Sequence, residues 1–141
     1  MKKENFYRLR NLYPHLCCYD VMALPDGWTR VAERLLVELN AIQPHVDGVY
    51  GSPVPLKIQA YGGFAVAFAT VNTLGGWDRD KAIALVEAIQ RFNAGCNSTC
   101  EECGESSAMI VKEYDGSRQQ RLCQHHAGER LRESYDRETL Q

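Results

Sequence analysis

Long hydrophobic runs are missing from this chain of 141 residues: the longest, Phe64 to Ala69, holds six. A membrane-spanning helix needs about 20 apolar residues, and a secretory leader needs a core of about seven or more. Neither a membrane protein nor an exported one is therefore expected. Without export, the six cysteines belong in a reducing compartment, the cytoplasm, where a Cys-x-x-Cys pair serves a metal rather than a disulfide. A basic surplus is missing too, since 16 Lys and Arg face 18 Asp and Glu. Residues 1–95 carry ten cations and nine anions, whereas residues 96–141 carry six and nine. Phosphate contacts supply most of the affinity for nucleic acid, so the acidic C-terminal segment disfavours such a partner. No phosphate-binding glycine loop, Ser/His/Asp set or paired-carboxylate site stands out, and an enzyme is not expected.

What is present is a metal-ligand pattern. Cys100 and Cys103 are two residues apart, Cys123 follows after nineteen more, and His126 stands two beyond that. Such spacing lets two thiolates from a tight turn, with Gly104 supplying its left-handed backbone, meet two donors from a second segment around one tetrahedral zinc ion. Four protein donors leave no open position for water, so the zinc is expected to be structural. A segment this short buries too little surface to fold alone, and the ion would supply the missing stability. His126 fits the spacing better than His125, and Cys96 is a spare. Cys17 and Cys18, adjacent among apolar neighbours, read as core thiols.

Along the chain, Phe6, Leu9 and Tyr13 fit a short helix or docked arm that stops at Pro14. Asp26 is positioned to cap a helix from Gly27 to about Gln43, with Trp28, Val31, Leu35, Leu39 and Ile42 on its apolar stripe. The loop from His45 to Pro55 gives His45 and Asp47 no catalytic company. Period-two alternation from Leu56 and again from Phe64 predicts two strands joined at Gly62-Gly63, read as a type I′ turn with positive φ at both glycines. In the second strand bulky Phe64, Val66 and Phe68 alternate with Ala65, Ala67 and Ala69, a small face that a helix can approach. Leu74-Gly75-Gly76-Trp77 ends it. Asp78 then caps a helix whose stripe is Ala82, Leu85, Val86, Ile89 and Phe92, stopping at Asn93-Ala94-Gly95. The metal segment reads as knuckle, hairpin with an Asp115-Gly116 turn, and helix. That helix carries the stripe Ala127, Leu131 and Tyr135 and the pairs Arg132–Asp136 and Glu133–Arg137.

The expected architecture is α+β: a β-hairpin packed with two amphipathic helices over residues 1–95, and a treble-clef-like zinc finger with a C-terminal helix over residues 96–141. Treble clefs also form the core of HNH nucleases. Residues 105–122 contain no histidine for the general base of that chemistry, which leaves it a minor alternative.

The ordered set Asp26-Gly27-Trp28, Lys57-Ile58-Gln59-Ala60-Tyr61-Gly62-Gly63-Phe64, Cys100-Glu101-Glu102-Cys103-Gly104 and Leu122-Cys123-Gln124-His125-His126-Ala127 resembles a group of small bacterial and phage proteins of unassigned function. The resemblance covers residues from about 17 to 130 and implies the same order of helix, hairpin, helix and finger. It departs around the hairpin turn, where Gln59, Ala60 and Ala65 replace expected charges and only Lys57 remains. A ligand held by those charges would be lost here.

A closed metal site, an acidic finger and the lack of a catalytic set point to a non-enzymatic protein-binding factor. The resemblance extends this to a phage or mobile-element inhibitor of a host defence complex. Candidate partner surfaces are the acidic knuckle at Glu101, Glu102 and Glu105 and the charged helix with Glu129 and Arg132. The rival is a nucleic-acid-binding regulator using Lys2, Lys3, Arg8 and Arg10 with Arg118 and Arg121.

Overall fold

The computed structural model describes residues 1–43, 54–70, 77–113, 116 and 118–139. His45, Asp47, Leu74-Gly75-Gly76 and Asp115 lie outside them. In chain order the elements are α1 (Lys3–Leu12), 3-10 turns at Tyr19–Ala23 and Asp26–Trp28, α2 (Thr29–Ile42), β1 (Leu56–Tyr61), β2 (Phe64–Ala69), α3 (Arg79–Cys96), β3 (Met109–Lys112), β4 (Gln119–Leu122) and α4 (Gln124–Thr139). The chain is therefore mixed helix and strand, with two separate antiparallel hairpins, β1–β2 and β3–β4. No helix among the described residues is long and apolar enough to cross a membrane.

Phe6 and Leu9 put α1 into the core on one side, while Arg8 reaches Glu33 of α2 at 2.6 Å. Asp26 does not cap α2, contrary to its position in the sequence. Its carboxylate accepts the Lys2 backbone N–H at 2.9 Å and the Asn5 amide at 3.0 Å, so it caps the start of α1 instead. The carboxylate is held below its ordinary range by the Lys2 N–H, against some burial, with help from Asn5 and the Lys2 charge. Helix α2 buries Ala32, Leu35, Leu36 and Leu39, with Trp28 just before it.

In the β1–β2 register Leu56 faces Ala69, Ile58 faces Ala67, and Ala60 faces Ala65. Ile58, Ala65 and Ala67 are buried, and α3 packs on β2 from this side. The small residues of β2 allow that approach. Helix α2 packs against α3, so of the two helices expected on the hairpin α3 is the one that lies on β2. Both strand edges are blunted at one level, because Ile58 N–H donates to the Asp20 carboxylate (3.0 Å) and Ala67 N–H to the Asn93 side chain (3.1 Å). An edge strand whose central outward donor is taken is a poorer template for another strand.

Asp78 caps α3 as expected, accepting Lys81 N–H at 2.9 Å. The helix runs three residues past Asn93, to Cys96, because Gly95 is not a stop but a point of close approach: a Cβ there would lie 2.9 Å from a Val31 methyl of α2. Its buried stripe is Leu85, Ala88, Phe92 and Cys96. Val86, expected inside, is exposed, since the helix presents the 85/88/92 row to the core. The stripe expected on α4 is also corrected. Ala127 is buried, but Leu131 and Tyr135 are 58% and 72% exposed. Arg132 and Arg137 donate to the carbonyls of Gly128 and Glu133 rather than to the expected carboxylates.

The buried residues form two clusters. One gathers α1, α2, α3 and the first hairpin, and includes Cys96; the other holds Cys100, Leu122, Cys123 and Ala127.

Candidate metal centre

Three residues after α3 the chain makes a tight knuckle. Gly104 N–H returns to the Cys100 carbonyl at 3.0 Å, Cys100 N–H donates to the Glu105 carbonyl at 2.8 Å, and Gly104 takes φ +78°. This turn brings the Cys100 and Cys103 sulfur atoms to one side. The second pair comes from the end of β4 and the first turn of α4, where Ala127 N–H donates to the Cys123 carbonyl at 2.8 Å and fixes the spacing to His126. The donor atoms of Cys100, Cys103, Cys123 and His126 all lie within 4.8 Å of one another, a group able to hold a metal ion.

Within it, His126 Nδ1 is 3.5 Å from Cys100 Sγ and 3.2 Å from Cys123 Sγ, and the Cys103 and Cys123 sulfurs are 3.9 Å apart. Cys100 and Cys123 are buried and Cys103 is exposed, so the centre sits at the rim of the small cluster. Burial pushes the Cys100 thiol up, but the backbone N–H groups of Cys103, Cys123 and Glu102 outweigh it and bring the thiol to about 7. For Cys103 an N–H from Glu105 pulls downward, while burial and the neighbouring sulfurs prevail and push it up to about 11.

His125 is not one of these four; it pairs with Glu129 at 3.3 Å, and its donor atom, with those of Glu129 and His126, forms a second, more exposed group within 4.8 Å. Cys96 is fully buried in the main core, where burial pushes its thiol to about 12. Cys17 lies in the same core with its thiol raised by burial to about 11. Cys18 is partly buried against it.

Of the sequence-derived partner residues, Glu101 is half-buried and engaged within the molecule, whereas Glu102, Glu105, Glu129 and Arg132 are exposed. The half-buried Glu101 carboxylate accepts Arg121 N–H at 2.8 Å, and burial raises it while the Arg121 and Gly63 N–H groups pull it back. Glu102 pairs with Arg130 at 3.6 Å. Glu105 contributes the carbonyl that closes the knuckle.

Sequence reasoning missed how tightly the knuckle is joined to the main core. Gly27 N–H donates to the Glu101 carbonyl at 2.8 Å, and the buried Trp28 indole donates to the Thr99 carbonyl at 2.8 Å. A Cβ on Gly27 would run into the Cys100 carbonyl, and one on Gly104 would stand 2.7 Å from the Gly27 carbonyl. The two glycines let two backbones touch. At the first hairpin only Gly63 takes positive φ, +87°, so the expected type I′ turn is not formed. Gly62 serves a different need, since a Cβ there would strike the Gln119 carbonyl of β4. Gln119 and Arg121 side chains donate to the Gly62 and Gly63 carbonyls, each at 2.7 Å. A glycine in the first turn of a helix and a doubled glycine at a hairpin were the available signals, since each costs stability without a reason.

Comparison with protein families, curated proteins and solved structures returns no match.

Proposed function

We propose that Cys100, Cys103, Cys123 and His126 hold one structural zinc ion, and that the protein is a non-enzymatic protein-binding factor of the cytoplasm. Three thiolates and an imidazole are the donors zinc prefers. A tetrahedral zinc with bonds of about 2.3 Å to sulfur and about 2.0 Å to nitrogen needs separations of about 3.8 Å between sulfurs and about 3.5 Å between sulfur and nitrogen. The 3.9 Å and 3.5 Å separations in the group fit that demand, and 3.2 Å is slightly short. Donors arriving from a knuckle and from a helix start, with a hairpin between, support the treble-clef reading. A closed set of four makes the ion a structural element.

The observation that carries the binding function is the outer face of the first hairpin. Tyr61, Phe64 and Phe68 are 49%, 38% and 52% exposed there, and large aromatics clustered on a surface mark contact sites. Four of the six basic residues that a phosphate-binding surface would use are engaged within the molecule: Lys2 with Asp26, Arg8 with Glu33, Arg10 over the Tyr19 ring, and Arg121 on the Gly63 carbonyl. The resemblance noted above adds that the bound protein belongs to a host complex inhibited by a phage or mobile element.

Two measurements test the reading. Purified protein should carry one zinc per chain by elemental analysis, and Cys103→Ser should lose it; full retention removes Cys103 from the site. A pull-down from bacterial lysate, split into nuclease-treated and untreated halves, should recover a stoichiometric protein in both. Recovery of nucleic acid alone, with binding that weakens steeply as salt rises, would replace this function with a nucleic-acid-binding one.

A further inference from the structure

The face just invoked has a shape that selects among protein partners. Lys57 faces Phe68, Gln59 faces Val66, and Tyr61 faces Phe64 across the register, so these six side chains share the side of the sheet away from α3. Tyr61 and Phe64 stack with ring centres 4.8 Å apart, and the Tyr61 hydroxyl donates to Gln59 Oε1 at 2.7 Å, which holds the aromatic end of the platform in one arrangement. At the other end, beside Lys57 and Phe68, opens a cavity of about 350 Å³ walled by Leu16, Cys17, Pro55 and Leu56. Its lining is mostly apolar, with His15, Lys57 and Thr70 as the polar members, and burial raises the Cys17 thiol there.

We propose that this face is the docking site for one amphipathic helix of another protein, which sets a bulky apolar anchor into the cavity and an acidic side chain against Lys57. The inference rests on the protein-binding reading and narrows it. Addition of a strand is disfavoured at the middle of each edge, where the outward N–H groups of Ile58 and Ala67 are already taken by Asp20 and Asn93. The partner therefore docks through side chains on the face. Two strands about 4.8 Å apart offer a strip about 10 Å wide, the diameter of one helix, and six residues give it a length of about 20 Å, or about 13 helical residues. On the opposite face β2 already accepts a helix, α3. A second copy of the same face is a poor occupant, because its only charged residue is Lys57 and it brings no carboxylate to meet it. An acidic residue on a foreign helix supplies that complement.

The test uses the zinc-loaded full chain and a ribosome-displayed library of helical peptides of about 14 residues. Enriched peptides should share an apolar stripe with one large anchor and at least one Asp or Glu. They should shift the amide resonances of Lys57, Gln59 and Phe68. Phe68→Ser and Lys57→Glu lie on exposed positions and should leave the fold intact, which circular dichroism checks. The first should weaken binding about tenfold or more, as expected for a residue at a central anchor. The second should weaken acidic peptides and favour versions in which the acid is exchanged for Lys. Peptides that map to α4 or the knuckle would overturn this assignment while leaving the protein-binding function standing. No enrichment on any surface would count against both. Self-association abolished by Phe68→Ser, or displacement of the peptides by single-stranded oligonucleotide, would assign the face to a different occupant and overturn the proposal.

Discussion

At the scale of single residues, the least replaceable positions are those where side-chain atoms are forbidden. Gly27 touches the knuckle backbone so closely that Gly27→Ala must push α2 and the metal segment apart. The expected loss is about 1–3 kcal/mol of stability, together with weaker zinc binding in a competition titration. Gly116 offers the control. Its φ is +71° but a Cβ there meets nothing, so Gly116→Ala should cost only the left-handed backbone penalty of about 1–2 kcal/mol and leave zinc affinity unchanged. Asp26 carries a pH dependence whose sign follows from its bonds. Its carboxylate is lowered in the folded chain by the Lys2 N–H first, then by Asn5 and the Lys2 charge. The stabilisation is therefore present above the ordinary carboxylate range and fades as pH falls through the lowered folded value. Asp26→Ala should cost about 1 kcal/mol at pH near neutrality, and the gap from the parent in chemical denaturation should close in acid. Loss of metal in acid is common to both proteins and cancels in that difference. A gap that stays constant would take away the ionic contribution.

At the scale of elements, β2 has one face for the core and one for the solvent, and the two should respond oppositely to the same kind of change. Ala67 lies under α3, so Ala67→Leu overfills the contact and should lower stability by about 1–3 kcal/mol. Phe68, one residue on, should tolerate Ser within about 0.5 kcal/mol. Equal effects on thermal melting would mean that the sheet is buried on both sides. This alternation was legible in the sequence, as were the α2 stripe, the Asp78 cap and the four grouped donors, because each depends on residues close in the chain or on spacing that metal chemistry restricts. Other features depend on partners the local sequence does not name. Asp26 sits where an N-cap of α2 belongs, yet it serves a helix over twenty residues earlier. Gly95 looks like a stop until Val31 is known to lie against it. Leu131 and Tyr135 keep helical spacing, but among the described residues α4 packs mainly against β3 and β4, and both side chains are left exposed.

At the scale of the whole molecule, the knuckle and the main core share bonds through Thr99, Glu101, Gly27 and Trp28, and the two hairpins are tied through Gly62, Gly63, Gln119 and Arg121. Zinc should therefore stabilise the entire chain. We expect the zinc-loaded protein to melt in one transition. A strong chelator should lower its midpoint and at the same time change the fluorescence of buried Trp28, whose indole loses the Thr99 carbonyl. Two separate transitions, with Trp28 reporting only the metal-independent one, would instead make the finger an independent unit. The blunted edges of the first hairpin then decide what becomes of a chain that has lost its ion. With Ile58 and Ala67 already satisfied by Asp20 and Asn93, the middle of each edge of that hairpin stays covered by groups of the main core when the finger opens. Loss of the ion should therefore expose the second hairpin, β3–β4, before the first.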